Sequence, residues 1–133
     1  MTGPIWVTKA VVLAIHGEQL AEHGGSDGLR DEGVLDAALA RPLNLHLHAA
    51  ADISDLAACY GFGLCQNHPF VDGNKRTSFV VTELFLALNG WTLRMEDAQV
   101  VALWLRLASG RLAEGALAQA LRAHLLPLEA QSL

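Results

Sequence analysis

The chain has 133 residues and a formal net charge of −5, with 52% hydrophobic and 17% charged residues. That length suits one domain with one core, and the apolar content argues against disorder. A duplex-binding domain carries a basic excess to neutralise phosphate, so direct nucleic-acid binding is not expected here. Read in full, 1–133 is taken as a single all-α domain, rich in Ala and Leu.

In chain order, Thr8 is placed to cap a helix from Lys9 to about Glu22, which Gly24-Gly25 ends. A turn-rich loop, Ser26-Asp27-Gly28-Leu29-Arg30, follows. Asp31 then opens a short helix through Ala40, with Val34, Leu35, Ala38 and Leu39 inward and Pro42 as its stop. In 43–51, Leu43, Leu45 and Leu47 alternate with Asn44, His46 and His48. This period of two predicts an extended ribbon able to pair with another protein by strand addition.

Asp52 and Asp55 are expected to cap a third helix, from about Ile53 to Gln66. A fourth runs from Asn74 to Leu88 and ends at Asn89-Gly90. Its apolar residues lie almost all round the axis, so it is read as the central buried helix. A fifth spans Glu96 to Ala108, and a sixth runs from about Leu112 to Leu126 before Pro127. The tail 127–133 is read as loose. The total is about six helices with one small extended flap.

Cys59 and Cys65 lie six residues apart, about 240° round a helix, which places them poorly for a mutual bridge. They read as buried thiols of a reducing compartment. No secretory leader or membrane span is read, so a cytoplasmic protein is expected. His46 and His48 alone make a weak metal pair. His16, His23 and His124 have no chemical context, and Trp6, Trp91 and Trp104 read as core or groove wall.

The segment with chemistry is His68-Pro69-Phe70-Val71-Asp72-Gly73-Asn74-Lys75-Arg76. Gly73-Asn74-Lys75-Arg76 opens the fourth helix, where unpaired amides and the positive end of the dipole favour an anion. Lys75 and Arg76 oppose that dipole, a placement that makes sense when phosphate sits there. Asp72 suits Mg²⁺, which prefers one or two carboxylates plus phosphate oxygens. His68 is the residue best suited to general-base work near neutral pH.

This segment closely resembles the Fic motif, HxFx(D/E)(G/A)NxR. Lys75, between Asn74 and Arg76, is typical of the Doc branch of toxins. Gly24-Gly25, Gly28 with Arg30-Asp31, Leu39-Ala40-Arg41-Pro42 and Asn89-Gly90 extend the likeness over nearly the whole chain.

The resemblance implies an all-α Fic-type bundle using ATP and Mg²⁺. It makes His68 the base and Asp72 the metal ligand. Gly73 and Asn74 would form an anion hole, and Lys75 and Arg76 would contact phosphate. The flap residues Leu45, His46, Leu47 and His48 would dock the target by main-chain pairing.

With Lys75 where adenylylating relatives have Gly, the resemblance implies γ-phosphate transfer to a Ser or Thr hydroxyl. Elongation factor Tu is the implied target, and its modification blocks translation. The alternatives are AMP transfer and nucleotide binding without turnover. A metal-dependent phosphodiesterase is disfavoured because a second ligand cluster is missing. Ser109 and Glu114-Gly115 miss the spacing of an internal inhibitory motif by one residue. Control would then fall to a Phd-like antitoxin folding into a groove.

Overall fold

The computed structural model describes residues 3–128. Met1, Thr2 and the greater part of the expected loose tail, 129–133, lie outside the described residues. Six helices follow one another: α1 Lys9–His23, α2 Glu32–His48, α3 Ile53–Asn67, α4 Asn74–Leu88, α5 Asp97–Ala108 and α6 Glu114–Ala123. Two short strands, β1 Trp91–Leu93 and β2 Leu125–Pro127, pair antiparallel, with Thr92 opposite Leu126. No described helix is long and apolar enough to cross a membrane.

The caps explain most boundaries. The Thr8 hydroxyl accepts from the Val11 amide at the start of α1, and Gly24 ends that helix at φ 78°. Asp31 caps α2 by accepting from the Val34 amide at 3.1 Å. Asp52 and Asp55 form a reciprocal box at the start of α3, each carboxylate accepting the other's backbone N–H at 2.9 and 3.0 Å. Each such cap satisfies helix-end donors that would otherwise need water.

Two helices differ from the expectations. The α2 helix does not stop at Pro42 but carries it inside and continues to His48. The alternating leucines are therefore not a ribbon, and the Ala49 amide bonds back to the Leu45 carbonyl at 3.0 Å. The physical reason lies in the inward stripe Leu35, Ala38, Pro42 and Leu45, spaced 3, 4 and 3. Burying that stripe against α3 offsets the roughly 3 kcal/mol that an interior proline costs. Extended backbone is reached only beyond the helix, at Ala49 and Asp52.

The central helix is α3, not α4. Ten of its fifteen residues are buried, against seven of fifteen in α4. Ala57, Ala58, Gly61 and Gly63 let neighbours approach on several sides. A Cβ at Gly63 would already lie 3.4 Å from that of Ala38 in α2. The last helix is also shorter than expected, because residues 125–127 leave it to pair with β1. The β1 strand carries no alternating run long enough to announce it.

Polar groups are threaded through the core. The Ser78 hydroxyl donates to the Gly61 carbonyl at 2.7 Å and accepts from the Trp104 indole at 3.0 Å. This joins α3, α4 and α5 at one point. Near the amino end, the Tyr60 hydroxyl accepts from the Val7 amide and donates to its carbonyl. Trp6 stacks on Phe85, with ring centroids 5.9 Å apart. Cys59 and Cys65 are buried free thiols, pushed up to about 12 and about 11 chiefly by burial.

Candidate active site

The segment between α3 and α4 lines a cleft of about 330 Å³ with His68, Val71, Asp72, Gly73, Asn74, Lys75 and Arg76. The α4 helix starts here without a side-chain cap, and Gly73 turns into it at φ 80°. The first backbone acceptor used by the helix is the Gly73 carbonyl, taken by the Thr77 amide at 3.0 Å. The amides of Asn74, Lys75 and Arg76 precede that bond and are the natural anion donors of the cleft. The Lys75 and Arg76 side chains are exposed at the same end.

His68 terminates α3 in the left-handed conformation, φ 50° and ψ 60°. Among the described residues it is the one non-glycine with positive φ. Such a conformation costs on the order of 1–3 kcal/mol and persists only where neighbours over-determine it. Several do. The antiparallel bridge Leu29–Phe70 lays the 28–30 loop beside the motif, with the Val71 amide bonded to the Gly28 carbonyl at 3.0 Å. The Arg30 amide reaches the Pro69 carbonyl at 2.7 Å, while its guanidinium donates to the carbonyls of Asn67 and His68.

Asn74 has a different part from the one its position suggests. Its side chain is buried and turned back onto the loop, accepting from the Phe70 amide at 3.0 Å and donating to the Phe70 carbonyl at 2.9 Å. What it offers an anion is its backbone N–H, not its carboxamide. The same Nδ2 lies 3.5 Å from His68 Nδ1. That is long for a hydrogen bond and does not fix the tautomer.

The Asp72 carboxylate accepts from the Gly73 amide at 2.9 Å through one oxygen and from the Ser26 amide at 3.2 Å through the other. Both oxygens keep lone pairs for a cation, and the residue is exposed to the cleft. A lone carboxylate beside an anion site fits Mg²⁺ held mainly by phosphate and water. No cluster of three or more His, Cys, Asp or Glu occurs among the described residues. A Mg²⁺ held in that way does not need one.

His16 does have a context. It is buried, its ring lies parallel to Phe70, and its Nε2 is 2.8 Å from the Asp72 carbonyl. Its distance in sequence from the motif hid this. By contrast Leu45, His46, Leu47 and His48 form the last turn of α2 and do not line this cleft. Their amides are used within the helix, while the carbonyls of this last turn lack intrahelical donors, so a full strand ladder cannot run along them in this conformation.

The six helices of the described residues, with a histidine, a carboxylate and two cations gathered at the uncapped start of one of them, fit an all-α bundle of Fic type. A profile of the Fic/DOC family matches residues 6–86, and the chain belongs to that family. It is similar to the "Toxin Doc" of Mycolicibacterium smegmatis (strain ATCC 700084 / mc(2)155), 44% identical over 69 residues. That alignment covers 50% of this chain and about half, 53%, of the relative. It is also similar to the "Protein kinase doc" of Escherichia phage P1, 27% identical over 117 residues. Here 87% of this chain and 92% of the relative are covered.

Proposed function

We propose that this chain is a toxin-type protein kinase that moves the γ-phosphoryl group of ATP onto a Ser or Thr hydroxyl of a target protein. The observation that carries the reading is Lys75, the second residue of a helix whose start has no side-chain cap. A cation and free amides at one point suit a dense anionic group. The similarity to a phage protein named a kinase supports the same direction.

In this reading His68 takes the proton of the target hydroxyl as its oxygen forms a bond to the γ-phosphorus. The bond from that phosphorus to the β,γ-bridging oxygen breaks, and ADP leaves with the electron pair. The amides of Asn74, Lys75 and Arg76, with the two cationic side chains, stabilise the charge on the transferring group. Such transfer depends on positioning and charge neutralisation more than on covalent help. Asp72 would hold Mg²⁺, which would neutralise the phosphate chain.

Elongation factor Tu is the first target to test, and with that target the reaction would be cytoplasmic. A Phd-like antitoxin folding as a helix is the matching inhibitor, in keeping with the toxin name of a relative. With 45–48 helical, a target docking there would meet the free carbonyls of the last turn and not a full strand ladder.

The test is incubation with elongation factor Tu, Mg²⁺ and ATP labelled at either the α- or the γ-phosphate. Transfer of γ-label is expected. Transfer of α-label would mean that the chain moves AMP, and the weight given to Lys75 would be misplaced. His68→Ala should reduce transfer by a factor of about 10²–10⁴, the usual contribution of a general base. Because His68 is exposed, its thermal unfolding should barely change.

A further inference from the structure

We propose that Arg30 is a positioning residue: its guanidinium holds the carbonyls of Asn67 and His68 and thereby fixes the left-handed backbone that aims the His68 ring into the cleft. The inference rests on reading His68 as the base.

The end of α3 poses the problem. A helix leaves its last carbonyls without intrahelical donors, and a glycine usually makes the left-handed turn that follows. Here the turn falls on His68 instead, at φ 50°. The backbone bonds of a left-handed cap reach carbonyls earlier in the last turn, so those of Asn67 and His68 need other donors. Arg30 supplies the donors from another part of the chain, Nε to the His68 carbonyl at 2.5 Å and Nη2 to the Asn67 carbonyl at 2.8 Å. A planar guanidinium holds several N–H donors in a fixed fork and can serve both carbonyls at once, which the single ammonium of lysine does with less directional control.

The loop bearing Arg30 is itself anchored independently of the side chain. The Arg30 and Asp31 amides both donate to the Pro69 carbonyl, and the Val71 amide donates to the Gly28 carbonyl. Substituting Arg30 therefore leaves the two segments docked and removes only the grip on residues 67 and 68. Asn74 secures the other side of the loop through Phe70. What remains beyond these contacts is the torsion of His68, and Arg30 alone among the described side chains bonds to that residue's carbonyl.

The experiment compares the wild type with Arg30→Ala and Arg30→Lys by two readouts. The first is the backbone ¹³C shift pattern of His68 by NMR, which reports its φ region and needs no activity. The left-handed pattern is expected in the wild type and lost in Arg30→Ala. The second is phosphoryl transfer. A fall in kcat of about tenfold to a hundredfold is expected, in line with small misplacements of a reacting group. KM for ATP should stay unchanged. Arg30→Lys should recover only part, and millimolar guanidinium should restore part of the Arg30→Ala loss.

An unchanged His68 shift pattern in Arg30→Ala overturns the proposal. So does a loss of turnover that simply tracks a lowered thermal midpoint and ignores guanidinium. If Arg30→Ala fails to fold, Arg30→Gln carries the same comparison. If the wild type transfers nothing to any target, the kinase reading fails and the NMR result alone decides the role of Arg30.

Discussion

The His16 ring lies flat on Phe70, with centroids 3.7 Å apart and planes 8° from parallel, while its Nε2 meets the Asp72 carbonyl at 2.8 Å. One side chain of α1 thus fixes both the apolar anchor and the acidic residue of the motif. The two functions can be separated. His16→Phe should keep the stack and lose the hydrogen bond, and His16→Gln should do the reverse. Each is expected to cost about 1–2 kcal/mol, near the value of one hydrogen bond or one aromatic pair. Chemical denaturation of the two variants checks this, and near-equal losses are the expected outcome.

The space beside Asp72 is tightly limited. A Cβ at Gly25 would lie 2.9 Å from Asp72 Oδ2 and 3.0 Å from Leu20 Cδ2, at a backbone φ of 125°. Gly25→Ala should therefore push the carboxylate off its position between Ser26 and Gly73. On the proposed reading, the Mg²⁺ concentration for half-maximal transfer should rise by about tenfold to a hundredfold, the usual effect of disturbing a ligand's surroundings. A Mg²⁺ titration of transfer is the measurement. An unchanged midpoint would remove Asp72 from the metal.

The pairing of Arg122 with Asp52 and Asp55 ties α6 to the start of α3. Hydrogen bonds from Arg122 hold the Asp52 carboxyl down at about 2, against a smaller opposing push from burial. A depressed carboxylate stabilises the fold above its ordinary range near ~4 and loses that contribution as pH falls toward 2. Both side chains are more than a third exposed, so solvent screening keeps the pair below about 1 kcal/mol. Arg122→Ala should be slightly less stable at neutral pH, and its difference from wild type should close between about pH 4 and pH 2. Denaturation midpoints at several pH values show whether it does.

The knot of Gly61, Ser78, Thr82 and Trp104 leaves no room for a methyl group. A Cβ at Gly61 would stand 2.6 Å from Thr82 Oγ1 and 3.5 Å from the Trp104 ring. Thr82 is β-branched and its hydroxyl is bonded to the Ser78 carbonyl, so it cannot swing away freely. Gly61→Ala should cost about 1–3 kcal/mol through overpacking. Trp104 fluorescence should shift as its indole loses the Ser78 acceptor. Differential scanning calorimetry with emission spectra tests both.

Much of this was legible from residue order alone. Gly73 and Asn89-Gly90 bracket α4 at the predicted limits because glycine and asparagine break helices by local conformational preference. The Asp52–Asp55 box is likewise a local matter. The HPFVDGNKR segment carries its chemistry within nine residues. The misses are non-local. Pro42 is tolerated because a neighbouring helix rewards the stripe it belongs to, and alternation of leucines concealed that stripe. The central place of α3 depends on small residues admitting three partners, whereas a count of large apolar residues favoured α4. Arg30 and His16 serve the site from 38 and 56 residues away, through bonds to backbone atoms; His16 belongs to no motif, and Arg30 stands in the family-like stretch with no role attached to it.

The two ends of the described chain converge on a single turn. The Asn89 side chain bonds to the Ile5 amide and carbonyl, and the Gly90 carbonyl accepts from the Leu128 amide. That turn sits at the far end of α4, about 20 Å along the helix from the cleft at 1.5 Å per residue. Residues 5 and 128 could thus be joined by a short linker and the chain reopened in a surface loop such as the one at Ser109-Gly110. The reacting groups would stay in place, so the order in which the helices are connected is separable from the order in which they are packed.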